Sequence, residues 1–408
     1  MNSNDFIVSL DIGTSNVRVI IGEFSHGVLH IIGVGISESE GIKKGAIVDI
    51  DLTAQAIREA VENAERMVEI DINEVYVGIS GNHIEMQLSQ GVVAVSSDDR
   101  EINGVDIERV VQASKVIALP PNKEIIDVVP KEFVVDGLGG IKDPSGMIGV
   151  RLEVTCSIIT GSKTIIHNLI RTLDKSELQI AGFVLMPLAA SQVALSKDEM
   201  NLGIVLIDIG KGTTEISIFE HGDLIKSVVI PIGGEYITND ISIGLKTQMN
   251  IAEQVKVKYG VACIEEANQE IKFRVPRIGS NFDKEYNQIE LAHIIEPRVV
   301  EIFQIIRNEV NKLGYTKEIA GGYVLTGGVA SMNGILTIAQ EELKPSVRIA
   351  YPDFIGVRDP SYINGVGIIL STSKKVIKKN KYGSTSSKPK KNALKLISRI
   401  KEWLKDFV

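Results

Sequence analysis

Two periodicities divide this chain. Apolar runs at 6–11, 17–24 and 28–36 predict three strands. Between 53 and 68, Ala56, Ile57, Ala60, Val61, Ala64 and Val68 recur at helical spacing, with Asp51-Leu52-Thr53 as the entry. A strand at 75–80 follows. From 84 to 162 the pattern changes to short strands, one helix near 105–117, and a stretch broken by Pro120, Pro121, Pro130, Pro144, Gly137, Gly139 and Gly140. That change of texture predicts an inserted subdomain. A helix at 163–174, a strand at 180–185 and a helix after Pro187 resume the first pattern. The second half repeats the theme, with strands at 203–209, 214–220 and 224–231 and a helical stretch after Gly233-Gly234. Residues 236–318 predict a second subdomain with a charged hairpin near 270–290, and a strand at 322–325 returns to the sheet. The expected division is a first domain at 1–83 and 163–200 with an insert at 84–162. A second domain follows at 201–235 and 319–370, its end returning to the first, with an insert at 236–318. Strands alternating with helices in both halves define an α/β class with two related domains.

One local pattern occurs twice. An apolar strand runs into Asp11-Ile12-Gly13-Thr14-Ser15-Asn16, and another into Asp208-Ile209-Gly210-Lys211-Gly212-Thr213-Thr214. Each continues into a second strand that ends in a His-Gly turn, His26-Gly27 and His221-Gly222. The two Asp residues are 197 positions apart, a domain spacing. Glycine lets a backbone turn sharply and present N–H groups to an anion. Ser and Thr add hydroxyl donors. A carboxylate repels phosphate, but Asp11 and Asp208 can hold a hydrated Mg²⁺ that bridges to it. Two such hairpins facing one cleft could hold the phosphates of one nucleotide, with Gly13, Thr14, Ser15, Asn16, Gly210, Lys211, Gly212, Thr213 and Thr214 around them. The ordinary alternative is a pair of hairpins with Asp-Gly turns. A third motif, Thr326 to Gly334, follows a strand and opens a helix, and its Gly327, Gly328 and Met332 suit a base or ribose lying against backbone. Gly233 and Gly234 precede a helix that carries Glu253 and Lys256 one turn apart. The Glu suits ribose hydroxyls and the Lys stem suits adenine; a surface ion pair is the plain alternative.

Composition sets the class of protein. The 408 residues are 44% apolar and 24% charged, as in globular chains, and suffice for two or more domains. No basic-plus-apolar signal segment opens the chain, and the uncharged run 320–340 holds too many Gly, Ser, Thr and Asn for a membrane span. Cys156 and Cys263 lack metal spacing and read as reduced core residues of a cytoplasmic protein. The net charge of −8 hides an asymmetry. Residues 374–408 hold twelve Lys/Arg against two Asp/Glu, a balance of +10 that leaves −18 on the other 373. An acidic body does not suggest nucleic acid, while a basic tail suggests tethering. Residues 371–391 read as a disordered basic linker. Residues 392–408 then predict an amphipathic helix. Leu396, Ile397, Ile400, Trp403, Leu404 and Phe407 share its apolar half; Lys395, Arg399 and Lys405 lie opposite and Lys401 at the border. That split suits an anionic membrane surface, and docking on a protein is the alternative.

Together, the two hairpins, the Thr-Gly-Gly loop and the Ala252-Glu253-Gln254-Val255-Lys256 helix resemble the actin/hexokinase/chaperone ATPase superfamily. Within it, three stretches are similar to the FtsA family of bacterial cell-division proteins: Gly41 to Ile50, Val77 to Ile84, and Asp143 to Leu152. The resemblance covers about residues 5–371 and the tail end. It implies an actin-like ATPase fold in which 1–83 and 163–200 are subdomain 1A and 84–162 is subdomain 1C. By the same resemblance, 201–235 with 319–370 is 2A and 236–318 is 2B. It further implies ATP with Mg²⁺ in the cleft, self-association into filaments, and recruitment of later division proteins through 1C. Filaments of the tubulin-like FtsZ would be tethered to the cytoplasmic face of the membrane at the division site, their C-terminal tail bound by 2B, where Arg298 and Arg307 are candidates. Several relatives place a Glu before Pro-x-Ala-Ala to position the hydrolytic water; here Met186 precedes Pro187. Asp208 remains as the candidate metal and water holder, so slow or absent hydrolysis is expected. The alternatives are a small-metabolite kinase, a PilM-like pilus-assembly homologue and an MreB-like shape protein. The tail helix argues against the first two and the insert against the last.

Overall fold

The computed structural model describes residues 6–279, 282–315, 319–343 and 346–382, the last nine of these through their backbone only. The three N-terminal apolar runs are β1 (Phe6–Ile12), β2 (Asn16–Ser25) and β3 (Val28–Glu38), antiparallel neighbours in one sheet. A small ribbon, β4 (Ile42–Lys43) and β5 (Ala46–Ile47), leads to α1 (Ile50–Val68). This helix starts three residues earlier than the periodicity predicts. Asp49 is the reason: its carboxylate accepts from the N–H groups of Asp51 and Leu52, donors that a first turn otherwise leaves open. The stripe from Ala56 to Ala64 is its buried face. β6 (Glu74–Ile79) then lies parallel to β1.

The insert follows. β7 (Glu85–Ala94), α2 (Gly104–Ser114), β8 (Lys123–Val135), β9 (Leu138–Ile141) and β10 (Arg151–Ser162) make a sheet of order β7-β10-β8-β9, with α2 packed on β7 and β10. It has its own core of Ile102, Val110, Phe133, Leu152, Val154, Cys156 and Ile158. The chain returns through α3 (Lys163–Lys175) to β11 (Gln179–Leu185), which pairs parallel with β6 and completes the order β11-β6-β1-β2-β3. α4 (Met186–Ala194) and α5 (Lys197–Leu202) lead out of this domain. Pro187 sits in the first turn of α4, where its missing N–H costs no helical bond.

The second domain repeats the plan. β12 (Ile204–Ile209), β13 (Thr214–Glu220) and β14 (Asp223–Ile230) are antiparallel, followed by α6 (Gly234–Leu245) and α7 (Met249–Tyr259). The charged hairpin is β15 (Lys272–Val275) and β16 (Lys284–Asn287), and α8 (Gln288–Lys312) runs on from it. β17 (Tyr323–Thr326), α9 (Ile335–Leu343) and β18 (Val347–Ile349) close the order β14-β13-β12-β17-β18. Strand for strand this matches the first sheet. One core joins β12 and β13 to α6, α8 and α9 through Ile207, Ile216, Ile237, Ile302, Phe303 and Ile338.

α10 (Ile363–Tyr382) corrects the linker expectation, since its helix continues through 371–382. Lys has good helix propensity, and each residue added to an existing helix gains a hydrogen bond without a new nucleus. The rest of the linker and the helix expected at 392–408 lie outside the described residues. No helix among the described residues is long and apolar enough to cross a membrane. Cys156 and Cys263 are free and buried, as expected.

Candidate functional site

The matched sheets bring the two hairpins to opposite walls of one cleft of about 850 Å³. Their turns close alike, Gly13 N–H donating to Asn16 O (3.1 Å) and Gly210 N–H to Thr213 O (2.9 Å). The walls nearly touch, because a Cβ on Gly212 would lie 2.8 Å from Thr14 Cγ2. Of the expected ligands, Asp11, Gly13, Thr14, Ser15, Asn16, Asp208, Gly210, Lys211, Gly212 and Thr213 line the cleft. So do Gly234, Glu253, Lys256, Gly327, Gly328, Met332 and Met186. Thr214 and Gly233 do not. Thr214 is fully buried and donates to Ile232 O at 2.8 Å, and a Cβ on Gly233 would strike the carbonyls of Gly210 and Lys211. Both residues support the Asp208 turn from behind.

The strand registers add two residues that motif reading overlooks. In β1–β2, Arg18 is directly opposite Asp11; in β12–β13, Glu215 is directly opposite Asp208. Each lies seven positions after its Asp, so carrying both motifs on to that shared position would have found them. The hairpins thus match in backbone and differ in charge. Burial raises the Asp11 carboxyl to about 6, with Arg18 opposing and Asp208 adding to the rise. Burial also raises Asp208, against an Asn364 Nδ2 donor at 2.7 Å and the Arg18 charge. Glu215 is pushed up to about 7 by burial, although Ser80 Oγ (2.9 Å) and Ser227 Oγ (3.0 Å) donate to it. The buried Asp11 and the half-buried Asp208 therefore share the charge of one guanidinium, and Arg18 Nε is buried without a hydrogen-bond partner among the described residues. The arrangement suits an added cation together with an anion. No cluster of three or more His, Cys, Asp or Glu forms a metal cage among the described residues. Asp11 and Asp208 fit Mg²⁺, which takes one or two carboxylates and completes its shell with water and phosphate oxygens.

Two expected contacts change character. The Lys256 ammonium donates to Glu253 Oε2 (2.7 Å), Thr238 Oγ1 (2.8 Å) and Gly234 O (3.1 Å). Its three donors are used, so only its stem and the Glu253 carboxylate remain for a ligand. Gly327 has φ +90°, and a Cβ there would collide with the Asp208 carboxylate. It therefore keeps space for the acid as well as for a base or ribose.

The cleft also has ties between its walls. The Asn82 side chain pairs with the Val229 backbone, accepting from its N–H at 2.7 Å and donating to its carbonyl at 2.5 Å. At the α4–α5 crossing, Arg348 donates to Glu199 (2.9 Å) and Ala194 O (2.6 Å). Arg298 and Arg307 lie together on α8 but are engaged, Arg298 with Asp240 and Glu301 and Arg307 with the Glu342 carbonyl at 2.8 Å. The expected membrane-facing residues Lys395, Leu396, Ile397, Arg399, Ile400, Lys401, Trp403, Leu404, Lys405 and Phe407 lie outside the described residues.

Paired sheets of one order, duplicated Asp-Ile-Gly hairpins and a shared cleft define an actin-like ATPase fold. Solved structures share it. The PilM-PilN type IV pilus biogenesis complex aligns with a TM-score of 0.60 at 16% identity, over 90% of this chain and 98% of that one. MreB5 of Spiroplasma citri bound to ADP aligns at 0.55 and 16% identity, over 92% and 98%. These likenesses are of fold. The family model for cell division protein FtsA matches residues 205–367, and that for the SHS2 domain inserted in FtsA matches 81–160, the β7–β10 insert. The chain is 51% identical to cell division protein FtsA of Bacillus subtilis (strain 168), over 90% of its length and 84% of the relative's. It is 35% identical to that of Pseudomonas aeruginosa PAO1, over 99% and 98%. The chain belongs to the FtsA family of cell-division proteins.

Proposed function

We propose that the protein binds Mg²⁺-ATP between the two hairpins, self-associates into actin-like filaments and tethers FtsZ filaments to the cytoplasmic face of the membrane at the division site. Subdomain 2B receives the FtsZ C-terminal tail, subdomain 1C recruits later division proteins, and residues 392–408 lie on the anionic membrane surface. The observation that carries the nucleotide reading is the approach of Asp11 and Asp208, on matching turns, to one cleft with the unpartnered Arg18 Nε. Hydrolysis is slow, because Met186 offers no carboxylate at the head of α4. Asp208 is left as the metal and water holder, with Glu215, held by Ser80 and Ser227, as a second acid opposite it. Arg298 and Arg307 must exchange internal partners to grip an acidic tail. Sedimentation with anionic liposomes tests the assembly: the chain should pellet with them and carry FtsZ only when both are present, more so with ATP. FtsZ pelleting equally without this chain, or the chain remaining in the supernatant, refutes the tether.

A further inference from the structure

The stretch Gly41 to Ile50 has no part in the site so far, yet it reaches into the cleft. Lys44 and Gly45, the turn between β4 and β5, have φ of +49° and +75°, the paired left-handed conformation that suits a two-residue hairpin turn. The turn spans both phosphate-loop candidates. Gly45 N–H donates to Thr14 Oγ1 at 3.2 Å, and a Cβ on Gly45 would lie 3.5 Å from Thr213 Cγ2. Lys44 lines the cleft, and its Nζ lies 5.9 Å from the ring centroid of Tyr236 on α6. No salt bridge among the described residues involves Lys44. The Gly45 contacts to Thr14 and Thr213 fix this turn between the two hairpins, which places Lys44 at the edge of the cleft between them.

We propose that the β4–β5 turn is a strap over the cleft and that Lys44 is a phosphate ligand, leaving Tyr236 to contact the phosphate chain of a bound nucleotide. This rests on the nucleotide reading above. Exchanging the ring for phosphate is favourable because an ammonium–phosphate hydrogen bond is charge-assisted, whereas an exposed cation–ring contact is weak. The strap joins the phosphates to the second domain, so Lys44 adds selectivity for di- and triphosphates over a monophosphate.

Calorimetry of the full chain with Mg²⁺ and ATP, with AMP measured by competition, tests this. Lys44→Asn removes the charge while tolerating the positive φ, and should weaken ATP about tenfold while AMP stays within about twofold. Lys44→Arg should restore most of the ATP affinity. Equal loss for ATP and AMP, or unchanged ATP affinity in Lys44→Asn, overturns the assignment and leaves the nucleotide site standing. A wild-type chain that binds neither nucleotide overturns both.

Discussion

Asp11 should release a proton when Mg²⁺-nucleotide binds. Burial raises its carboxyl from 3.8 to about 6, whereas Mg²⁺ needs the ionised form. A group with that value is ionised to about 97% at pH 7.5 and about 24% at pH 5.5. If only the ionised form accepts the metal, affinity falls about fourfold over this interval, about 0.8 kcal/mol. The sign for the ligand-free fold is opposite. A carboxyl raised on folding contributes stability that is fully present below 3.8 and is lost as pH rises through about 6. Calorimetry in two buffers of different ionisation heat counts the released protons. The phosphates of the nucleotide titrate too, equally in wild type and Asp11→Asn, so the difference between them isolates Asp11. Glu215→Gln in both backgrounds removes the neighbouring acid that is raised to about 7. Equal pH dependence in wild type and Asp11→Asn would refute the assignment of Asp11 as a metal holder.

Gly327→Ala adds about 1–2 kcal/mol of backbone strain at φ +90° and pushes the Asp208 carboxylate off Asn364. Both Mg²⁺-ATP affinity and melting temperature should fall, and unchanged values in calorimetry and thermal unfolding refute this geometry. Bound nucleotide should remain largely ATP over minutes; single-turnover assays giving about 1 s⁻¹ or faster would mean that the missing carboxylate at Met186 does not limit hydrolysis. Trp403→Glu should abolish co-sedimentation with anionic liposomes while ATP binding survives, and a chain ended at Tyr382 that pellets as well as the full chain refutes the anchor.

The local features were legible because their causes are local. The Asp-Ile-Gly turns, the α1 stripe and the charged β15–β16 hairpin need only neighbours within a few positions, and the change of texture at 84 marked an insert with its own core. The symmetry of the two domains followed from the repeat. Arg18 and Glu215 were within reach, since hairpin register alone places them opposite the two acids. Other features depended on packing between distant segments. That Lys256 spends its ammonium on Gly234, Thr238 and Glu253 depends on how α6 meets α7. That Asn82 ties to Val229, 147 positions away, depends on the two domains closing on one cleft. Whether a glycine serves a ligand or a neighbour was equally hidden: Gly233 makes room for the Asp208 turn, and Gly327 for the Asp208 carboxylate itself. Sequence pattern determines which residues can turn, pair or carry charge. Only tertiary packing determines which of those groups are already used within the protein and which remain for a ligand, because a donor saturated by its own chain has none left to offer.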